Sequence, residues 1–521
     1  MYVRRKLNKT GTFSVQVISK HGGIYRVIRS FGTGRSEHEL SRLEESARQF
    51  INEQSGFAGE LFPDGADARL DDFISSISNA QIQVIGPELI FGSLYDKIGY
   101  GKIGSDMFRH LVVGRLFSPG SKLKTIDYLE RYQGVVYSID RIYRFLDVLC
   151  HKAGESGSRP PEADMKAEVE RITFEHAKHV LRGEIAVAFY DMTTLYFEAS
   201  EEDDLRKAGF SKDGKHQCPQ IFLGLLTAGS GNPIGYDIFE GNIFEGHAFI
   251  PALQSMERKF SLGKPIVVAD SGLLSESNRR SLECGGYQYI LGARIKGSKE
   301  ALKEKILSLG LRDSEAKTIR RSDGSRLIVS MSGKRAGKDR RNREKGLARL
   351  QKRIKSGKLT KSSINSRGYN KFLKLDGEIK VAIDEGMLAQ DALWDGIKGY
   401  VTNTRLPAKK VVENYNSLWY IERAFRMNKT DLRIRPIYHH LRNRIEGHIC
   451  ICFAAYAVLL EMERMLKREK SQITLNKAQE ITKTMYQMIY RLPNARVTKE
   501  KILKMNEEQQ ELYDMVRRWT D

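Results

Sequence analysis

The stretch that decides the fold is Val412–Leu432, VENYNSLWYIERAFRMNKTDL. Laid on a single α-helix, it sorts onto two neighbouring stripes. Leu418, Ile421 and Phe425 follow i, i+3, i+7 spacing and form an apolar stripe for a core. Tyr415, Trp419, Glu422, Arg426 and Lys429 stack along the adjacent face. Seven residues make about two helical turns, so Tyr415, Glu422 and Lys429 are expected nearly in line. One carboxylate then stands between two aromatics and two cations, bordering the core. Taken alone, the pattern also suits a solvated face with an i,i+4 Glu422–Arg426 pair. Two carboxylates upstream tip the balance towards a site.

The first follows Ile185–Tyr190, a continuous apolar run of the kind a central buried strand shows, and is Asp191. The second is Asp270, which ends the apolar segment Pro265–Ala269. A third short strand, Gly396–Thr402, leads into the stretch that carries Glu422. Sites in open α/β sheets form at the carboxyl ends of strands, although Asp at a strand end is also ordinary turn chemistry. Three converging acidic oxygen donors suit hard Mg²⁺ or Mn²⁺ ions. Such a cluster can hold two ions about 4 Å apart, clamping the attacking and leaving oxygens of a phosphodiester. The sequence has no Walker A loop, no GxGxxG and no HExxH, which removes the commoner nucleotide and zinc chemistries.

At 521 residues the chain exceeds what a single core organises. A formal charge of +21 and a pI near 9.5 call for a polyanionic partner, nucleic acid ahead of a membrane surface. More than half of that excess lies in Lys334–Lys371, where fifteen Lys/Arg face only Asp339 and Glu344, a net +13. Lys334, Arg335, Arg340, Arg341 and Arg343 in this run are candidate DNA contacts. The opening MYVRRKLNKTGTF lacks an apolar run, and the longest one, Ile449–Leu460, is too short to cross a bilayer. The five cysteines are scattered without CxxC pairs, so neither a disulfide framework nor a zinc site is suggested. A cytosolic chain without membrane contact is expected.

The order of segments follows from their periodicity. Residues 1–35 read as an N-terminal β-hairpin with Arg4, Arg5, Lys6 and Lys9 beside it. Residues 36–152 are helical, and Arg115, Lys122, Lys124, Arg141 and Arg144 suit either docking on a DNA end or an ordinary bundle. The linker is 153–163, AGESGSRPPEA. Residues 164–296 form the first part of a mixed α/β sheet with a parallel portion. Residues 297–395 are a β-rich basic insertion, 396–455 return to the core with the Glu-bearing helix, and 456–521 are a helical tail.

The order Asp191, Asp270, Glu422, with 422 − 270 = 152 residues between the last two, resembles the catalytic triad of DDE-type insertion-sequence transposases. In particular it resembles the branch with an RNase H-like core and a β-strand insertion between the second Asp and the Glu. The stretches FYDMTTLYFE, SKDGKHQCPQIFLGLL, GNPIGYDIFEGN, VVADSGLLSESN, WDGIKGYVTNT and YIERAFRMNKTDLRIRPIYHHLRNRIEGHI carry the likeness. The family sets Tyr, Arg, Glu and Lys at offsets 0, 3, 7 and 14, and here these are Tyr415, Leu418, Glu422 and Lys429. Leu418 departs from the pattern, leaving Arg426 or Arg423 to supply a phosphate contact in its place.

The resemblance implies an RNase H-like mixed sheet interrupted by a mainly β insertion, with helical N-terminal and C-terminal regions. It implies two Mg²⁺ (or Mn²⁺) ions held by Asp191, Asp270 and Glu422, with donor cleavage followed by strand transfer. It also implies double-stranded DNA as partner (transposon ends and target), a homodimer in the DNA complex, and a cytoplasmic, nucleoid-associated setting in a prokaryote. Lys429 and Arg426 would bind phosphate, Tyr415 and Trp419 would stack on a displaced base, and Lys212 and Lys215 suit either further phosphate contacts or a basic surface turn. His216, His247 and His448 are expected to be structural, since these metals prefer oxygen. A metal-dependent nuclease without strand transfer and a domesticated, non-catalytic DNA-binding protein are the alternatives.

Overall fold

The structure is a computed structural model. It describes all residues except 22–23, 55–72, 76, 151–164, 199–200, 210–213, 215–216, 261, 357–363, 366–367, 377–379 and 492–496. The chain forms two compact units, Met1–Gln81 with Tyr490–Lys499, and Ile82–Ile489 with Glu500–Asp521.

In the first unit, strands β1 (Tyr2–Leu7), β2 (Phe13–His21) and β3 (Ile24–Gly34) form an antiparallel meander. The expected hairpin is therefore a three-stranded sheet. The strand YVRRKL lacks an apolar face of its own and takes its order from pairing with β2. Val15 and Val17 bury one face against Leu40 and Ala47 of the helix Glu37–Gln54. Arg5, read as a loose basic residue, is fixed by Glu37 at 2.8 Å and by Glu44.

The second unit is built on one eight-stranded sheet. A short strand β4 (Ile82–Val84) stands apart from it. The sheet contains β5 (Val187–Tyr196), β6 (Gln220–Ala228), β7 (Asn232–Glu240), β8 (Ile266–Ala269) and β9 (Tyr289–Ala293). It also contains β10 (Ala316–Arg320) and β11 (Arg326–Met331). Strands β12 (Leu373–Asp376) and β13 (Lys380–Ile383) form a separate hairpin, and β14 (Ile397–Thr402) rejoins the sheet. The order is β10-β11-β14-β9-β8-β5-β6-β7. Strands β5, β6 and β7 are antiparallel, while β8 and β9 run parallel to β5. This is the three-antiparallel, two-parallel core of the RNase H-like expectation, widened by three antiparallel strands beyond β9.

Period-2 alternation assigns the two faces. Ala188, Tyr190, Met192, Val267 and Ala269 point into one core, beneath the helices Glu245–Phe260 and Glu276–Cys284. Phe189, Leu195 and Val268 point into the other. There they meet the helix Trp419–Thr430 and the long helix Arg442–Arg468. A sheet covered on both faces explains why its strands read as continuous apolar runs rather than alternating ones. In Arg442–Arg468 every residue from Gly447 to Met462 is buried. The helices Asp106–Phe117 and Ile139–Leu149 pack against it, so they belong to the same core as the sheet. No helix among the described residues is long and apolar enough to cross a membrane.

The insertion departs from its expected β-rich character. Strands β10 and β11 extend the main sheet, and the excursion from Ser332 to Trp394 is dominated by the 23-residue helix Gly333–Lys355. Its Arg, Lys, Leu and Ala content favours a helix. The spacing of Leu347, Leu350 and Ile354 gives that helix an apolar stripe, which packs on Phe372 and Leu373. Two short strands, β15 (Tyr486–Tyr490) and β16 (Lys499–Ile502), interrupt the expected helical tail. Tyr486–Met488 pairs with β4, a partner some 400 residues upstream that local periodicity does not reveal.

Glu461, 2 % exposed, ties three helices together. It accepts hydrogen bonds from His176 Nε2 at 2.9 Å and Trp519 Nε1 at 2.8 Å, and it pairs with Arg464. Burial alone would raise its carboxyl pKa, but these partners hold it below the usual glutamate value. The stabilisation is therefore complete above the ordinary glutamate pKa and is lost as pH falls through the lowered folded value. Glu461→Ala should cost about 3 kcal/mol in urea unfolding, and the difference from wild type should shrink in acid.

Candidate active site

Asp191 does not close its strand. It is the fifth residue of β5, which continues to Tyr196 because β6 pairs with it throughout. What ends near Asp191 is the parallel partner, since β8 stops at Ala269 and Asp270 is the next residue. Tyr190 lies opposite Ala269, so Asp191 and Asp270 are neighbours in register. Both fall on the alternation face of Phe189 and Val268, beneath the helix that carries Glu422. Asp191 Oδ1 accepts the Met192 N–H at 2.8 Å. Asp270 Oδ1 accepts the Ser271 N–H at 2.6 Å and the Tyr415 hydroxyl at 3.0 Å. Asp191, Asp270 and Glu422 line one cleft of about 200 Å³ together with Lys398, Tyr415, Leu418 and Trp419.

The stretch 412–432 is two helices rather than one. Ala408–Asn416 and Trp419–Thr430 meet at a tight turn over Ser417–Leu418, where Leu418 N–H bonds the Tyr415 carbonyl. Tyr415 therefore belongs to a different helix from Glu422 and Lys429. Its ring is buried, 4.6 Å from that of Tyr400, which removes it as an open platform for a base. It holds Asp270 instead. Burial, then the Asp270 charge, pushes the Tyr415 hydroxyl far above its usual pKa, so it remains a donor. Gly292 on β9 makes the contact possible, because a Cβ there would collide with the Tyr415 hydroxyl.

Of the other expected site residues, Trp419 is 47 % exposed and stacks on Tyr420 at 4.1 Å. Leu418 is buried, as its place on the apolar stripe requires. Arg423 is engaged by Glu463 at 2.6 Å, which fastens this helix to Arg442–Arg468 and leaves Arg426, exposed, as the cation open to solvent. Lys429 is half-buried. Lys334, Arg335, Arg340 and Arg341 are exposed on the basic helix, whereas Arg343 is held by Asp395 through two 2.6 Å bonds and serves as an anchor. Lys212, Lys215 and His216 lie outside the described residues. His247 is exposed, edge-on to Phe244. His448 is buried and held well below its usual pKa by burial and by the Lys122 and Arg115 charges, with Nε2 3.0 Å from the Ile434 carbonyl. The cleft residue that sequence reasoning overlooked is Lys398. It looks like an ordinary outward residue of β14, and the family likeness of WDGIKGYVTNT, which contains it, does not single it out.

The sequence family described as Transposase DDE domain matches residues 183–458, just over half of the chain. The chain belongs to this family. No curated protein matches it by sequence. Among solved structures, a piggyBac transposase synaptic complex with hairpin DNA aligns at 10 % identity and TM-score 0.37, over 77 % of this chain and 78 % of that one. A Mos1 transposase paired-end complex with the left transposon end aligns at 14 % identity and TM-score 0.15, over 47 % and 71 %. A Mos1 mariner paired-end complex with Mn aligns at 13 % and TM-score 0.15, over 47 % and 72 %. These superpositions are loose.

In this transposase domain the three acidic side chains have the donor chemistry of a hard divalent cation site. Among the described residues, however, no three His, Cys, Asp or Glu side chains stand close enough to enclose an ion. The triad lines a cleft and does not close into a ligand shell. Tyr415→Phe removes the hydrogen bond to Asp270 without changing packing volume. It should alter folding stability by no more than about 1 kcal/mol while slowing DNA strand cleavage roughly tenfold, measured with a labelled duplex. Gly292→Ala, which displaces the same hydroxyl, should slow cleavage to a similar degree.

Proposed function

We propose that the protein binds the ends of its insertion sequence and catalyses metal-dependent strand cleavage and strand transfer. The observation that carries this reading is the register match of Asp191 and Asp270 on adjacent parallel strands, with Glu422 on the helix above them, inside the matched domain. Asp191, Asp270 and Glu422 would hold Mg²⁺ or Mn²⁺, which polarises phosphoryl oxygens and makes water or a 3′-hydroxyl nucleophilic. Tyr415 keeps Asp270 oriented. Trp419, on the rim, offers a flat surface to an unpaired base. Arg426 and Lys429 on the same helix suit phosphate contacts. The helix Gly333–Lys355 carries eleven Lys/Arg against Asp339 and Glu344 and supplies sequence-independent affinity for DNA.

Asp191→Asn, Asp270→Asn and Glu422→Gln each remove one charge at constant volume. Without metal the carboxylates repel one another, so thermal stability should be unchanged or slightly raised. Gel-shift affinity for a transposon end should persist, while cleavage with Mg²⁺ falls by at least about a hundredfold. The triple variant should be no worse than the singles. Near wild-type cleavage by any single variant would remove that residue from the triad.

Replacing Arg340, Arg341, Lys345 and Lys352 with Gln tests the basic helix. For each phosphate that is no longer neutralised, the salt slope of DNA binding should fall by about 0.9, equally for unrelated duplexes. A slope that does not change would assign the charge to solvent.

A further inference from the structure

Lys398 stands where three hollows meet. It lines the carboxylate cleft, a second hollow of about 400 Å³ that also touches Asp270, and a third of about 390 Å³. The second hollow is walled by Arg294, Lys296, Arg335 and Lys398, with Asp270 and Tyr415 shared with the carboxylate cleft. Tyr415 separates the two charges. Its hydroxyl reaches Asp270, and its ring faces the Lys398 ammonium at 5.6 Å.

Lys398 is half-buried, yet among the described residues its ammonium makes no hydrogen bond or ion pair. Burial and the neighbouring Arg335 charge disfavour its protonated form, while Asp270 and Glu422, near but not in contact, favour it. Arg335 is exposed, and its carboxylate neighbour Asp339 is 3.7 Å away. A partly desolvated cation that meets an aromatic ring but no acceptor, beside a nearly free guanidinium, has unused capacity for an anion. The hollow opens directly beside Asp270. An anion that is continuous with a bond in the carboxylate cleft would fill it.

The geometry points to Lys398, with Arg335, as a phosphate subsite that holds the backbone of the DNA strand next to the bond lying in the carboxylate cleft. This rests on the DNA-cleaving function proposed above and adds the path the strand takes out of the cleft. Leu418 strengthens the case. It buries an apolar side chain on the cleft wall, so on this side the cation comes from β14 rather than from the Glu-bearing helix.

The test uses the full chain and uncut duplex ends in EDTA, so that binding is read apart from chemistry. Lys398→Met keeps the stem and removes the charge. It should weaken binding roughly tenfold, and Lys398→Arg should restore it. Single methylphosphonates are then placed one at a time along the strand. At one position near the scissile bond, neutralising the phosphate should cost wild type the same factor and cost Lys398→Met nothing further. The thermal midpoint of Lys398→Met should stay close to that of wild type, because the ammonium gives up a ring contact but no hydrogen bond or ion pair.

A lowered midpoint, or losses that add at every phosphate position, would overturn the subsite. So would inorganic phosphate at matched ionic strength abolishing the difference between wild type and Lys398→Met, which would assign the hollow to a free anion. Failure of the protein to cut DNA with Mg²⁺ would defeat the proposed function while leaving the binding result readable. Normal cutting without coupling at any phosphate would defeat the subsite alone.

Discussion

Two like charges in adjacent register on a buried sheet are the constraint to which the rest of the structure responds. Tyr190 pairs with Ala269, so the next residue on each strand is an aspartate, and both point to one face. Leaving Asp191 and Asp270 together in a sheet of Val, Ile, Leu and Phe is unfavourable unless water, cations or hydrogen-bond donors reach them. The strands provide for this locally. β8 ends just before Asp270, which opens the sheet there, and backbone N–H groups of Met192 and Ser271 approach the two carboxylates. Tyr415 adds a neutral donor that stays protonated, and Lys398 adds a positive charge at the rim.

The surrounding helices hold this arrangement against the repulsion. The long helix Arg442–Arg468 is buried along most of its length, and through Glu463 it grips Arg423 on the helix that presents Glu422. Glu461 on the same long helix ties in His176 and Trp519. The acidic side chains thus sit on elements fixed by burial and by paired charges, which is what a site with defined geometry requires. The net positive charge lies elsewhere. Much of it is on the helix Gly333–Lys355, in an excursion with its own small core, so the chain can attract a polyanion without neutralising the triad.

The helix that carries Glu422 shows where periodicity stops being informative. Glu422, Trp419, Ile421 and Phe425 take the faces their spacing predicts, because Trp419–Thr430 is a regular helix. Tyr415 reaches the same cleft from a separate helix, but there it is buried and holds Asp270 instead of standing open. Arg423 and Arg343 read as free cations, yet each has a carboxylate partner more than thirty residues away in sequence. Lys398 shows the reverse. Its segment resembles the family, yet nothing there singles out this lysine, and only folding sets it on the wall of the carboxylate cleft and of two further hollows.

The sequence by itself determined the local quantities. Apolar runs marked the central strands, and the charge count marked a polyanionic partner. These follow from interactions between residues a few positions apart, or from sums over the chain. Tertiary structure alone decided that β10 and β11 extend the main sheet, that Tyr486–Met488 becomes a strand against β4, and that Asp191 sits mid-strand beside Asp270. It also turned Tyr415 from an exposed aromatic into the donor that holds Asp270. Each of these depends on a partner brought close by folding, and pairing across tens or hundreds of residues leaves no periodic trace in either segment.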